Sequence, residues 1–413
     1  MRILHFADAH IDIDTRGRHD PESGLPARVL DFLKALDTIV DTAIRERVDL
    51  VLFAGDAYKD RTPAPTTPRE WGKRIIRLSQ AGIPTLLLVG NHDLSPAAGR
   101  AHTLQEYDTL QVPHVVVAAR PALLGPEQLG GLPLQIICLP WISRSGLMGS
   151  LEISGASSEQ IFSEIEARLT VLLNGWMEQA DPNLPLILTA HASVQGALYG
   201  AERSVMLGHD LVLPGSMVRN PRLSYTALGH IHKAQDLNEG LQPPVIYPGS
   251  IERVDFGEAG DDKFFVIAHL EAGQPTRVDW RKLQGRRFID RRVEITSGEL
   301  FMAQALAALP PADELQDAIF RLVVEYERNW EPMLDEAALR AACSAAFDFH
   351  LIRRPHLESR IRIPGDQTIS SLTPEDLLNI YWGSIRTDGE AAKTLNQLAG
   401  EIIRSVNHVS SSN

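Results

Sequence analysis

The sequence predicts an α/β protein built on a doubly wound, largely parallel sheet, and three observations carry that expectation. Short apolar runs of strand length recur at residues 3–7, 50–54, 86–89, 186–190 and 225–228. Between the first three of them lie stretches whose apolar residues repeat at helical spacing. Each run then gives way to Gly, Asp, Asn or His, as a buried parallel strand does when its carboxyl end meets a working loop.

Residues 3–7 form the first strand and lead into Asp8-Ala9-His10. Side chains alternate with period two, so Asp8 and His10 leave on the same side if the chain stays extended. His5 shares that parity but sits inside the strand, and it is read as a core histidine with its hydrogen bonds satisfied. Val29, Phe32, Leu33, Leu36, Ile39, Val40, Ala43 and Ile44 then mark an amphipathic helix over residues 26–46, which returns the chain to the sheet. The second strand, 50–54, ends in Gly55-Asp56. A proline-rich loop over 61–68 leads to a helix over 69–80, with Thr67 as its cap, Pro68 at its first position and Gly82 closing it. The third strand runs into Gly90-Asn91-His92-Asp93, so residues 1–93 read β-loop-α-β-loop-α-β.

Further on, 115–118 and 134–139 are strands flanking a Gly/Pro-rich connection, and 143–156 is a loop. Ser157 with Gln160 resembles a capping box that opens a helix reaching Gln179. Strands then end at His191 and at Gly229-His230-Ile231-His232, followed by 245–247 and 263–270. This strand-rich later half predicts a second sheet packed on the first. Beyond residue 284 the pattern becomes a compact β-α-β-α-β domain: strands at 288–295, 318–325 and 349–353, helices at 298–309 and 335–346. Ser371-Leu372-Thr373-Pro374 opens a helix carrying Leu377, Leu378, Ile380 and Tyr381, and another carries Ala392, Leu395, Leu398, Ile402, Ile403 and Val406. Two such helices with little of their own to bury against are expected to dock on a neighbour. The expected domains are 1–284, 285–370 and 371–413.

Composition narrows the function classes. With 44% hydrophobic and 23% charged residues the chain is an ordinary globular one, and no apolar run approaches the ~18 residues that span a membrane. His5 and Asp8 interrupt the only apolar run that could serve as a signal-peptide core, so a cytoplasmic protein without membrane association is expected. Cys138 and Cys343 stand far apart and outside any metal-ligand spacing, which leaves His, Asp and Asn as the donors for any metal. A formal net charge of −13 argues against coating nucleic acid by bulk electrostatics. Locally, residues 281–292 carry six Lys or Arg against Asp290, and Arg353, Arg354, Arg360 and Arg362 cluster against Glu358. Each patch is either a phosphate track or a solvated domain junction.

Asp8, His10, Asp56, Asn91, His191, His230 and His232 together offer seven oxygen or nitrogen donors. That is too many for one tetrahedral zinc and suits two divalent cations sharing a carboxylate, for which Asp56 is the best placed. The mixed donor set suits manganese, iron or zinc better than calcium or magnesium. Two cations roughly 3.5–4 Å apart serve in-line attack at phosphorus, so phosphoester hydrolysis is the expected reaction. His92, next to the ligand Asn91, is the candidate proton donor to the leaving oxygen. Asp93 is expected to orient His92 or its loop.

Asp8-x-His10, Gly55-Asp56, Gly90-Asn91-His92-Asp93, His191 and Gly229-His230-x-His232, in this order, resemble the calcineurin-like metallophosphoesterase superfamily. That resemblance implies a four-layer α/β/β/α sandwich with a dimetal site at the strand ends. The stretches beginning His191-Ala-Ser-Val-Gln-Gly and Tyr247-Pro-Gly-Ser-Ile-Glu-Arg, the latter running to Glu258, are more narrowly similar to the SbcD family, the nuclease subunits of bacterial SbcCD complexes. This likeness implies a manganese-dependent DNA nuclease, exonucleolytic on duplex ends and endonucleolytic on single strands or hairpins. It further implies a small α+β capping domain after the catalytic one, a homodimer within a heterotetramer, and a carboxy-terminal helical segment that binds an SbcC-type ATPase. Lys59, Arg253, Arg286 and Arg287 are the candidate contacts to the DNA. Lys59 departs from the pattern, since some relatives carry at this position a histidine that helps position the phosphate. A lysine contacts phosphate as a point charge instead. Two other functions remain open: a phosphomonoesterase or cyclic-nucleotide phosphodiesterase on the same fold, and a non-catalytic subunit that binds DNA ends.

Overall fold

The computed structural model describes residues 1–11, 19–94, 101–142, 158–200, 212–271, 274–356, 373–384, 390 and 393–400. Its Cα framework divides into two units, the first comprising residues 1–290 with 315–320 and 346–348, and the second 291–314, 321–345 and 349–413.

Among the described residues, the first unit holds two six-stranded sheets. The apolar runs give β1 (Arg2–Phe6), β2 (Leu50–Phe53), β3 (Thr85–Leu88) and β4 (Val115–Ala118), side by side and parallel. Next in the chain come β5 (Ala122–Leu124), β6 (Gln135–Leu139) and β7 (Leu186–His191). The two-residue β8 (Ser193–Val194) and β9 (Val212–Leu213) pair with each other. Then follow β10 (Tyr225–Gly229), β11 (Gln235–Asp236), β12 (Val245–Tyr247), β13 (Lys263–His269) and β14 (Arg277–Leu283). The sheet orders are β14-β13-β1-β2-β3-β4 and β11-β12-β10-β7-β6-β5. Parallel strands fill both centres, and antiparallel pairs close the edges at β13–β14, β11–β12 and β5–β6.

Apolar cores hold these layers together. Ile3, Leu52 and Leu86 from one sheet and Ile136, Ile187 and Ala227 from the other form the seam between the sheets. The outer face of the first sheet packs on α1 (Ala27–Glu46) and α2 (Thr66–Gln80), and that of the second on α3 (Ser158–Gln179). The result is the expected four-layer α/β/β/α sandwich. In α1 the buried residues Val29, Phe32, Leu33, Leu36, Ile39 and Val40 follow the helical repeat, and Arg47 closes the helix at φ 48° by donating to Ala43 and Ile44 carbonyls. In α2, Trp71 is fully buried and packs on Phe53 with ring centroids 4.9 Å apart. Losing such a side chain costs about 3–5 kcal/mol.

Two local expectations need correction. The second helix starts at Thr66 after Pro65, so Thr67 lies inside its first turn as a buried residue and makes no capping bond. Pro68 still fits, because first-turn N–H groups have no intrahelical partner. Residues 277–283, where the sequence pattern predicts no strand, form β14; its side chains are half exposed, so the apolar run that marks a buried strand is missing. Ser157, the 143–156 loop, Arg360 and Arg362 lie outside the described residues.

A three-stranded sheet follows, in the order β15 (Phe288–Glu294), β16 (Ile319–Glu327), β17 (Asp348–His356). Within the second unit, α4 (Phe301–Ala307) buries Phe301 against Tyr326, with centroids 5.3 Å apart. Asp335 caps α5 (Glu336–Ala342) by accepting from the Ala338 N–H at 2.9 Å. Farther along, α6 (Pro374–Ser384) opens with proline at its first position, and Thr373 and Asp376 cap it reciprocally. Residues 393–400 are helical, whereas Ile402, Ile403 and Val406 lie outside the described residues. No helix among the described residues is long and apolar enough to cross a membrane.

Candidate metal centre

Strand register brings the site together. Phe6 pairs with Phe53 and Phe53 with Leu87, so the loops carrying Asp8, Asp56 and Asn91 leave the first sheet side by side. In the second sheet Gly229 pairs with His191, which aligns the loops of β7 and β10.

At these exits the backbone turns left-handed. Asp8 (φ 52°), His10 (39°), Asp56 (63°) and His230 (98°) all occupy a region costly for residues with a side chain. Asp8 and His10 therefore do not follow an extended path; they converge because both kink, and His10 Nε2 ends 3.9 Å from an Asp8 carboxylate oxygen. The glycines in the motifs have a steric reason. A Cβ on Gly90 would overlap the Asp56 carboxylate, and one on Gly229 would overlap the Ala54 carbonyl.

Five of the seven predicted donors, together with His92, form close groups of metal-ligand type. Asp8, His10 and His232 offer donor atoms within 4.8 Å of one another, as do His10, Asp56 and His92, and also Asp8, Asp56 and His191. The other two join through their own contacts: the Asn91 side-chain oxygen lies 3.1 Å from His230 Nδ1 and 3.0 Å from His191 Nε2. Asp8, His10 and Asp56 each belong to two of the groups, and the Asp56 carboxylate lies 3.3 Å from His191 and 3.7 Å from His10.

The orientation of the rings fits cations. His191 Nδ1 donates to the Ala54 carbonyl at 2.7 Å, and His232 Nδ1 to Glu258 at 2.6 Å, so each turns Nε2 inward. His232 Nε2 stands 2.8 Å from His10 Nε2, two ring nitrogens aimed at one another. Burial, reinforced by His232, holds His10 well below the usual histidine range and keeps its lone pair available. Burial pushes the Asp8 carboxyl up to about 6, although His191 and His232 pull against it. Burial acts on Asp56 the same way, yet His191, His10 and His92 outweigh it and hold that carboxylate well below its ordinary value. His191 loses basicity to burial but is carried up to about 9 by Asp56. Buried carboxylates facing imidazoles whose other nitrogens are already engaged are what a pair of divalent cations requires.

Around this core, His92 lies edge-on to His10 with centroids 5.0 Å apart, and its Nδ1 meets the Lys59 carbonyl at 2.6 Å. Asp93 acts on the loops: its carboxylate accepts from the N–H groups of Asp56, Ala57 and Gly90 at 2.8–2.9 Å. Burial and Asp56 push its carboxyl up to about 7. His5, as expected, is a core residue, fully buried between Tyr225 Oη at 2.9 Å and the Leu228 carbonyl at 3.2 Å.

The candidate DNA-contacting arginines are engaged elsewhere. Arg286 forms a two-pronged pair with Asp31 at 2.6 and 2.8 Å, donates to the Asp317 carbonyl and stacks on Phe347 at 3.8 Å. Arg253 donates to the Arg286 and Asp261 carbonyls, and Arg287 to Gln316. Other members of the basic stretch are similarly paired: Arg281 with Glu46, Lys282 with Asp262 and Arg292 with Glu325. Lys59 is exposed, and its backbone carbonyl holds His92 at the edge of the site.

Sequence reasoning gave no role to Glu258, Lys263, Ser250 or Trp141. Trp141 lies against His230, with centroids 4.9 Å apart. Lys263 left one signal, a cation opening an otherwise apolar strand.

The chain matches the family model described as calcineurin-like phosphoesterase over residues 1–234. It is 25% identical over 291 residues to the SbcD component of the SbcCD nuclease of Escherichia coli K12, covering 68% of this chain and 67% of that protein. It is 26% identical over 323 residues to the DNA double-strand break repair protein Mre11 of Archaeoglobus fulgidus, covering 76% and 66%. With the SbcD component of the SbcCD nuclease of Rhodobacter capsulatus it shares 28% identity over 296 residues, covering 67% and 68%.

Proposed function

The chain belongs to the calcineurin-like phosphoesterase family, and on that premise we propose that it is an SbcD-type DNA nuclease, cutting phosphodiester bonds at duplex ends and in single-stranded or hairpin DNA. The observation that carries this reading is the convergence, from two sheets, of the Asp, His and Asn donors that such hydrolysis needs. Similarity to nuclease components and to a break-repair protein, in each case over about two thirds of the relative's length, favours DNA over a small phosphomonoester.

Asp8, His10, Asp56, Asn91, His191, His230 and His232 would hold two divalent cations, with manganese the ion we favour for this nitrogen and oxygen set. When bound, such a pair supplies Lewis acidity and activates water for in-line attack at phosphorus. The chain's own groups do the remaining work. Asp93 ties the Asp56 and Gly90 loops together, which keeps their side chains in register. The Lys59 carbonyl holds the Nδ1–H of His92, so the ring can deliver a proton from Nε2 to the leaving oxygen. Lys59 itself reaches a substrate phosphate from the same turn. The reading extends to an SbcC-type ATPase bound through residues 371–413 and to a homodimer within that assembly.

The test is digestion of end-labelled duplex and hairpin DNA with Mn²⁺ present and absent, beside p-nitrophenyl phosphate. Mn²⁺-dependent cleavage of DNA is expected. Turnover of the monoester alone would overturn the nuclease reading in favour of a phosphatase.

A further inference from the structure

Two histidines of the centre are held differently. His232 Nδ1 bonds to a carboxylate, Glu258 Oε1, at 2.6 Å, whereas His191 Nδ1 bonds to a neutral backbone carbonyl at 2.7 Å. The second oxygen of Glu258 is fully engaged as well. It accepts from Lys263 Nζ at 2.6 Å, from Ser250 Oγ at 3.1 Å and from the Val254 N–H at 3.1 Å. Lys263 Nζ also donates to Ser250 Oγ at 2.8 Å and lies 3.4 Å from the His232 carbonyl. Glu258 is 2% exposed and Lys263 1%.

Burying a carboxylate and an ammonium together is costly, and apolar residues of similar volume often serve stability as well or better. Stability alone therefore gives a weak reason for this pair. A geometric reason is at hand, since a carboxylate with both oxygens engaged cannot rotate and pins the histidine ring in plane and in tautomer. Upstream, Asp255 fixes the short 3₁₀ turn Phe256–Glu258 by accepting from the Gly257 N–H at 2.7 Å, so the backbone that carries Glu258 is set too.

From this arrangement we infer that Glu258, braced by Lys263 and Ser250, is the positioning residue that fixes His232 as a cation ligand, and that it makes the two cation positions unequal. A carboxylate behind an imidazole increases electron density at the opposite nitrogen and so strengthens ligation; a peptide carbonyl does so less. The position served by Asp8, His10 and His232 is accordingly the tighter of the two. Lys263 offsets the cost of burying the carboxylate. This inference rests on the two-cation reading above.

The experiment is calorimetric titration of the metal-stripped full-length chain with Mn²⁺, together with thermal melts, for the wild type, Glu258→Gln and the double variant Glu258→Gln/Lys263→Met. Glutamine keeps the volume and an acceptor for Nδ1–H but removes the charge; the double variant also removes the lysine that would otherwise stay buried without its counter-ion. We expect two Mn²⁺ equivalents of unequal affinity in the wild type. In both variants the tighter one should weaken about 10–100-fold and the other stay unchanged, while the melting midpoint recovers in the double variant. Wild-type affinities in Glu258→Gln, or tight binding restored together with the midpoint in the double variant, would overturn the inference and leave an ion pair that serves only the fold. If Glu258→Gln does not fold, the double variant decides. Fewer than two equivalents in the wild type would instead defeat the two-cation reading, and this inference with it.

Discussion

At the metal centre, Asp8, Asp56 and Asp93 are buried carboxylates whose partners are imidazoles and backbone N–H groups. Along residues 281–292 the situation is reversed: Arg281, Lys282, Arg286 and Arg292 each lie beside a carboxylate of the same chain. The first region has gathered like charge and strained backbone where the proposed cations would sit. In the second, four of the six basic side chains are met by the chain's own carboxylates. Strength of charge in a sequence window therefore does not identify a binding surface; what matters is whether the fold supplies the counter-charge.

Four experiments test that contrast, and the largest effect belongs to the shared carboxylate. Asp56→Asn removes a negative charge from two of the three donor groups and should lower phosphodiester hydrolysis by about 10³-fold or more, with loss of bound Mn²⁺ by elemental analysis. Retention of two equivalents would break the assignment. His92→Ala should cost about 10²–10⁴-fold in turnover while Mn²⁺ stoichiometry stays intact, which separates proton delivery from ligation.

Proton linkage offers a third test. In the cation-free chain Asp8 titrates at about 6 and His191 at about 9. Below pH 6 both hold protons that a cation must displace, between 6 and 9 only His191 does, and above 9 neither. Apparent Mn²⁺ affinity should therefore rise from pH 6 to pH 9, with protons released on binding and counted by calorimetry in buffers of different ionisation heat. A pH-independent affinity over that range would contradict the arrangement.

The smallest effects belong to the paired arginine stretch. Arg286→Ala breaks a two-pronged pair whose side chains are 17% and 14% exposed, and should cost about 2 kcal/mol in chemical denaturation without changing DNA affinity. Lys282→Ala, in a pair more than half exposed on both sides, should stay within about 0.5 kcal/mol. Weaker DNA binding by either variant, at unchanged stability, would restore the stretch as a phosphate track.

The strands and candidate donors were legible in the sequence because their signals are local. An apolar run ending in Gly-Asp or Gly-Asn-His-Asp carries its own strand, its own turn and its own donors within about ten residues. Helix α1 was legible for the same reason, its apolar residues repeating every three or four positions. Strand β14 was not, because its half-exposed side chains carry no apolar run, and only its pairing with β13 defines it.

By itself, then, the sequence determined which side chains offer donors and at which strand ends they stand. Tertiary structure alone decided how those ends bend and what stands behind each ligand. The left-handed turn at Asp8 is braced by the His230 N–H from 222 residues away, and the carboxylate behind His232 arrives with a buried lysine from β13. It also decided that Arg286 would be neutralised by Asp31, 255 residues distant in the chain. The physical reason is the same throughout: backbone periodicity is written in neighbouring residues, whereas the partner of a charge is set by which strands the packed sheets bring side by side.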